Sequence, residues 1–213
     1  EKTGWIGASH NPVITIKENG VVLTVDLEKG QKTGYFLDQK FNRKIVSAFA
    51  KGKTVLDTFT HTGAFALNCA LAGAKEVTAV DISPEALEVA KNNAAKNAVD
   101  ILWKQMDILS EKPDSQDIIV SNPPYICNRE KADMDARVLD YEPHTALFVP
   151  DDDPLLFYRR IASLKSAKTL YFEINEAYGQ EVCDMLKELG YTDIQLKNDI
   201  YGKARMVFGR IEK

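Results

Sequence analysis

The 213-residue chain has no apolar run of membrane-spanning length and no signal-peptide core, so neither a helical span nor a secretory leader is expected. Cysteine is scarce: Cys69, Cys127 and Cys183 are odd in number, far apart and without metal-ligand spacing. That pattern argues against a disulfide or zinc framework and points to a reducing, cytoplasmic setting with no bound metal. Positive charge is not in excess either. With 27 basic and 31 acidic residues and a net charge of −4, no overall basic field draws in nucleic acid, although a local patch remains compatible. Internal repeats and low-complexity tracts are lacking, and nothing in the pattern sets an oligomeric state. The chain also opens on Glu1, not methionine, which suggests an excised or engineered piece.

What is present is an alternation of strands and helices. Val13–Ile16 and Val21–Leu27 flank Asn19-Gly20, a strong hairpin turn, so the first 37 residues read as a β-hairpin extension. From Asp38 to Ala50, Phe41, Ile45, Val46 and Phe49 fall at helical spacing, with Asp38 as the expected cap. Strands are then expected to end at Asp57, Asp81, Met106 and Ser121, with helices over Gly63–Ala72 and from Ser83-Pro84-Glu85 onward. Helix Pro154–Lys165, strand Thr169–Ile174, helix Ala177–Leu189 and strands Thr192–Leu196 and Arg205–Gly209 complete the order. This alternation predicts an α/β domain over 38–213, with a doubly wound, mainly parallel, seven-stranded sheet. The last two strands have no helix between them and should pair antiparallel. The stretch Cys127–Asp153, with two prolines and little periodicity, reads as a functional loop or a disordered one.

Ligands bind open parallel sheets at the carboxyl ends of the strands, and a polar residue stands at or just after every such end here. Asp57 leads into Thr58-Phe59-Thr60-His61-Thr62-Gly63; Asp81 is followed by Ile82; Asp107 follows the third strand and Asn122 the fourth. Singly, each aspartate reads as a cap or turn former. Together they suggest a nucleoside site: Asp81 for a ribose diol, Asp107 for an adenine amino group. The turn from Asp57 to Gly63 has one glycine and no lysine, unlike the glycine-rich turns that cradle phosphates. A phosphate-free adenosine cofactor, S-adenosyl-L-methionine, fits better. Its carboxylate suits a helix N-terminus, and its ammonium suits Asp57 or a turn carbonyl.

Asn122-Pro123-Pro124-Tyr125 follows the apolar run Asp117–Ser121, so it sits where a buried strand empties into a loop. An amide nitrogen is a poor nucleophile. The Asn122 side-chain carbonyl and the Pro123 backbone carbonyl could hold its NH2 toward an electrophilic methyl, while Tyr125 stacks on the planar group. The prolines fix φ and stiffen this acceptor array. The bland alternative is an ordinary turn. His61 and His144 read as contacts or surface residues, since this chemistry demands no general base.

The residues also carry two family resemblances. From about Val21 to Asp100 the chain resembles bacterial large-subunit rRNA methyltransferases of the cytosine-C5 type, through Gly30-Gln31-Lys32-Thr33-Gly34-Tyr35-Phe36-Leu37-Asp38-Gln39-Lys40 with Arg43, Asp57–Phe65 and Val80–Ser83. From about Asp117 it is similar to release-factor glutamine methyltransferases, through Asn122–Tyr125, Asp140–Leu147, Phe157-Tyr158-Arg159, Phe172-Glu173-Ile174 and Gly202–Val207. Both imply the class I, Rossmann-like S-adenosylmethionine-dependent fold. The first adds Phe36 and Gln39 to a cofactor set of Asp57, Phe59, Thr60, His61, Thr62, Gly63, Asp81, Ile82, Asp107 and Asn122. The second implies Asn122, Pro123 and Tyr125 as catalytic residues and a release-factor glutamine as acceptor. Two motif sets in one chain suggest a chimera.

The departures narrow the chemistry. Carbon-5 methylation needs a nucleophilic cysteine late in the sheet, where Phe172–Glu176 stands instead, and Cys127 reads as incidental. The helical domain and the RNA-binding appendage that the two families imply are not in this sequence. An rRNA or other nucleic-acid acceptor stays as the alternative. Its only nearby cations are Arg129, Lys131 and Arg137, diluted by Asp133, Asp135 and Asp140. A cofactor-binding chimera without efficient catalysis is the third reading.

Overall fold

The computed structural model describes residues 10–28, 34–134, 139 and 143–212. The motif stretches Gly30–Thr33 and Asp140–Glu142, and the charges Asp135 and Arg137, lie outside the described residues. Strands β1 (Val13–Glu18) and β2 (Val21–Asp26) form the expected antiparallel hairpin. Asn19 and Gly20 at φ 53° and 90° supply the two left-handed positions of its tight turn. Val21, Leu23 and Val25 alternate inward on β2, in one apolar cluster with Val46 and Ala94.

The central sheet comprises β3 (Thr54–Thr58), β4 (Glu76–Asp81), β5 (Leu102–Gln105), β6 (Gln116–Ser121), β9 (Ala167–Glu173), β10 (Thr192–Asn198) and β11 (Ala204–Arg210). Their order is β10-β11-β9-β6-β3-β4-β5, with β11 antiparallel to both neighbours and the remaining pairs parallel. The final hairpin therefore ends the sheet as expected, with its last strand inserted between β9 and β10. Helices α1 (Lys40–Ala48), α2 (Ala64–Leu71) and α3 (Pro84–Asn97) cover one face; α4 (Leu156–Ser163) and α5 (Gly179–Glu188) cover the other. Burial on both faces explains the continuous apolar runs of β3 and β6. Helix α3 starts as its sequence dictates: Ser83 Oγ accepts from the Ala86 N–H at 3.1 Å, and Pro84 fills the first helical position. Asn93 and Asn97 of α3 accept from the N–H groups of Thr24 and Val22 at 2.8 Å, so side-chain amides satisfy an edge of β2 that would otherwise be bare.

The first helix differs from expectation in its inward face and its cap. A 3-10 turn, Leu37–Gln39, precedes α1, and the cap position of α1 falls on Gln39 rather than Asp38. Phe41, Ile45 and Phe49 are 65%, 53% and 53% exposed, whereas Arg43 and Val46 point inward. The cause is a buried ion pair that overrides the apolar spacing. Arg43 Nε donates to Glu18 Oε1 at 2.7 Å, and its Nη2 donates to Glu18 Oε2 at 3.1 Å and to the Phe36 carbonyl at 2.8 Å. Tyr35 adds a 2.9 Å bond to Glu18 Oε1, and its ring lies 4.4 Å from the guanidinium carbon. Elsewhere the element ends move by one or two residues, the ordinary ambiguity of strand and helix termini.

The long connection after β6 has structure of its own. A 3-10 turn covers Asn128–Asp133, another covers His144–Ala146, and β7 (Ile126–Cys127) pairs parallel with β8 (Phe148–Val149). No helix among the described residues is long and apolar enough to cross a membrane.

Removing one partner of a buried pair strands the other charge. Glu18→Ala should lower unfolding free energy by about 3–5 kcal/mol, while Phe41→Ser on the exposed side of α1 should change it by no more than about 0.5 kcal/mol. Urea unfolding checks this, and equal, small effects would contradict the assignment of Arg43 as the inward anchor.

Candidate functional site

The turn after β3 is backbone under constraint. Phe59, His61 and Gly63 all lie in the left-handed region, at φ 58°, 51° and 81°. For a bulky residue such as Phe59 this conformation is costly and persists only where its surroundings over-determine it. They do so here. Asp57 Oδ2 accepts from Thr60 Oγ1 at 2.6 Å and from the Ala66 N–H at 3.0 Å; the Thr60 N–H donates to the Val80 carbonyl at 3.1 Å. Asp81 Oδ2 accepts from the His61 N–H at 2.8 Å, and Asn93 Nδ2 donates to the Thr62 carbonyl at 3.1 Å. At Gly63 a Cβ would sit 3.1 Å from both Ala90 Cβ and Trp103, so the entry to α2 is closed to larger residues.

Burial sets the protonation of this turn. Asp57 is almost inaccessible, and desolvation raises its carboxyl from 3.8 to about 7, against the opposing bonds from Thr60 and Ala66. Its Oδ2 holds the turn through Thr60 and Ala66. His61 is pushed down by desolvation, which the nearby Asp81 charge partly opposes. Its ring meets Phe36 edge-on at 5.7 Å.

A cavity of about 280 Å³ opens where these strand ends meet. Phe59, Asp81, Ile82 and Asp107 line it, as does Thr58. Asp81 Oδ1 also accepts from the Ser83 N–H at 3.0 Å. Asp107 is partly occupied by its own turn, accepting from the Leu109 N–H at 2.9 Å and from Ser110 Oγ at 3.0 Å. Thr60, Thr62 and Gly63 are buried in the turn behind the wall, and Gln39 is buried with its side-chain oxygen accepting from Asn42 at 2.9 Å. Further walls come from residues that the strand-end pattern does not mark: Met106, Leu109, Thr145, Phe148 and Phe157. Met106 and Leu109 flank Asp107, a signal of position alone. Phe157 packs edge-on against Phe59 at 5.2 Å, and Thr145 and Phe148 arrive from the long connection. A second, more open groove between β2 and α3, lined by Thr24, Val89, Asn92, Ala95 and Lys96, contains no comparable grouping.

One strand over, Asn122 follows Ser121, the register partner of Thr58. The Asn122 side chain is half-buried and forms no hydrogen bond among the described residues, leaving its amide available. Pro123 and Pro124 are buried. Tyr125 is held at two points: its hydroxyl donates to Glu173 Oε1 at 3.2 Å, and its carbonyl accepts from Asn175 Nδ2 at 3.1 Å. Asn175 Nδ2 also reaches Glu130 Oε2 at 3.1 Å, which accepts the Cys127 N–H at 2.6 Å. Cys127 is fully buried and its thiol is pushed up by desolvation, the opposite of an activated thiolate.

No cationic side chain among the described residues lines the cavity, so it suits an uncharged nucleoside better than a phosphate, with the carboxyl groups of Asp81 and Asp107 at strand ends and apolar walls for a flat base. The strand order, with β11 antiparallel between β9 and β10, is that of the Rossmann-like methyltransferase fold. The chain belongs to the methyltransferase small domain family, which matches residues 30–140. It is 44% identical over 173 residues to a release factor glutamine methyltransferase of Bacteroides thetaiotaomicron, covering 76% of this chain and 62% of that one. Over 134 residues it is 40% identical to ribosomal RNA large subunit methyltransferase I of Aeromonas salmonicida, covering 58% of this chain and 34% of that one. Among solved structures, a SAM-dependent methyltransferase from Agrobacterium tumefaciens superposes with a TM-score of 0.65 at 19% identity, covering 96% of this chain and 71% of that one. The chain thus spans about three-fifths of the glutamine methyltransferase it resembles and about a third of the rRNA enzyme.

Asp57 gives a pH signature. A carboxyl raised from 3.8 to about 7 by folding contributes stability that is complete below pH 3.8 and is lost as pH rises to about 7. Asp57→Asn retains an acceptor for Thr60 and Ala66 and cannot ionise. Its thermal midpoint relative to wild type should therefore rise between pH 5 and pH 8, and parallel profiles would contradict the buried-carboxyl assignment.

Proposed function

We propose that this catalytic domain, 38–213 with its hairpin extension, methylates the side-chain amide of a glutamine presented by a release factor in the cytoplasm. The observation that carries this reading is the unengaged Asn122 amide beside Pro123 and a Tyr125 held at its hydroxyl by Glu173 and at its carbonyl by Asn175. The resemblance of 44% to a release factor glutamine methyltransferase supports the acceptor class.

S-adenosyl-L-methionine, when bound, supplies an electrophilic methyl group. The chain's own residues do the rest. Asp81 accepts the ribose hydroxyls, Ile82, Met106 and Phe157 sandwich the base, and Asp107 borders its amino edge. The left-handed turn from Phe59 to Gly63, backed by Asp57, Phe36 and Gln39, receives the amino-acid end. At the acceptor, the Asn122 Oδ1 and the Pro123 carbonyl accept hydrogen bonds from the two N–H groups of the amide. That fixes the nitrogen in one orientation and stabilises the positive charge that develops there. Tyr125 stacks on the amide plane, and the buried prolines keep water out. Catalysis by orientation needs no thiolate, in keeping with the buried Cys127.

The rRNA reading draws on the relative named for rRNA, but the two cations described near the acceptor loop each contact an aromatic residue. Arg129 donates to the Tyr178 hydroxyl, and Lys131 Nζ sits 4.2 Å from the Phe148 ring centroid.

Asn122→Ala should separate binding from turnover. Calorimetry with S-adenosylhomocysteine should give an affinity near wild type, while methyl transfer falls by about a hundredfold, the usual effect of losing one preorganised polar contact at the reacting group. With tritiated cofactor, label should enter an unmodified release factor. Label in ribosomal RNA with none in the factor would contradict the glutamine reading.

A further inference from the structure

Ile200 and Tyr201 are 85% and 82% exposed, more than any other large apolar side chain described. They form the tip of the β10–β11 hairpin, and the tip is built rather than slack. The Asp199 N–H donates to the Lys203 carbonyl at 2.8 Å, and Asp199 Oδ1 accepts from the N–H groups of Tyr201 and Lys203 at 2.8 and 3.0 Å. Gly202, at φ 80°, closes the turn.

The base of the hairpin is tied to the acceptor side of the site. Met206 pairs with Glu173, the residue that holds the Tyr125 hydroxyl, and the Ile174 N–H donates to the Arg205 carbonyl at 2.9 Å. Arg205 and Lys203 meet Glu176 at 3.4 and 3.0 Å, and Glu176 follows Asn175, the residue that holds the Tyr125 carbonyl. From Met206 to Lys203 the strand continues for three residues, so the tip stands roughly 10 Å beyond the level of Glu173 at about 3.3 Å per residue. An aliphatic and an aromatic side chain are therefore held on a preorganised arm beside the acceptor loop.

We propose that the Ile200–Tyr201 tip is a docking arm for the folded protein that presents the acceptor amide, burying both side chains against an apolar patch of that partner. The proposal rests on the glutamine reading above. A polypeptide suits the arm better than a nucleic acid. Lys203 and Arg205 are paired with Glu176 and Asp199, which leaves Lys197 of β10 as a single exposed cation near the tip rather than a line of positive charge to follow phosphates. An aromatic-aliphatic pair on a rigid turn has the character of an interface anchor, because little conformational entropy remains to be lost on binding.

The test is I200S/Y201S, with I200L/Y201F as the conservative control. S-adenosylhomocysteine affinity and thermal midpoint should match wild type in both variants, since neither side chain packs within the fold. With an unmodified release factor, I200S/Y201S should raise KM at least about tenfold, with kcat at saturating factor changed much less; I200L/Y201F should stay close to wild type. Calorimetric titration of the factor should show the same loss of affinity without reference to turnover. An unchanged KM and affinity in I200S/Y201S, with wild type active on the factor, overturns the arm and leaves the glutamine reading intact. Factor binding that depends on the tip, in a wild type that methylates only RNA, sinks the glutamine reading and keeps the arm. Wild type that shows no heat with the factor, or an RNA affinity that falls with the tip change in place of factor affinity, overturns the proposed partner.

Discussion

The site depends on the Asp81 carboxylate. Its two oxygens accept the backbone N–H groups of His61 and Ser83, tying the turn after β3 to the start of α3. Without this tie, the left-handed residues Phe59 and His61 would have one fewer constraint against relaxing to ordinary backbone. The same carboxylate lines the cavity. One group therefore organises the turn and presents charge to whatever binds there, and both roles follow from its position at the end of a parallel strand.

A second set of contacts does for the acceptor loop what Asp81 does for the turn. Glu173 and Asn175, at the exit of β9, hold the Tyr125 hydroxyl and carbonyl, and Asn175 continues to Glu130 and hence to the Cys127 N–H. The loop after β6 is thereby fixed from the adjacent strand. Its further course returns through β8, which places Phe148 and Thr145 on the cavity wall. The turn after β3 and the loop after β6 are joined across Thr58 and Ser121, partners in the register of β3 and β6.

Much of this was legible in the sequence because the signals are local. Asn19-Gly20 and Ser83-Pro84 specify a turn and a helix start through their own backbone and side-chain chemistry, and the structure has both. The aspartates at the strand ends were legible because parallel strands bring their carboxyl ends to one edge. The inward face of α1 was not, because the Arg43–Glu18 pair spans 25 residues and outweighs the spacing of Phe41, Ile45 and Phe49. The contribution of Thr145 and Phe148 was hidden for a similar reason: β7 and β8 are two residues each and carry no periodicity. The burial of Asp57 and its bond to Thr60 depend on packing above them that no local pattern encodes.

The most direct measurement is calorimetric titration of S-adenosylhomocysteine into wild type and Asp81→Ala, with thermal unfolding run alongside to show that the variant is folded. If Asp81 both anchors the turn and meets the ribose, affinity should weaken by about 1–3 kcal/mol, the cost of leaving polar partners unmet in a semi-buried site. Equal affinities for folded wild type and folded Asp81→Ala would contradict the placement of the nucleoside at the end of β4.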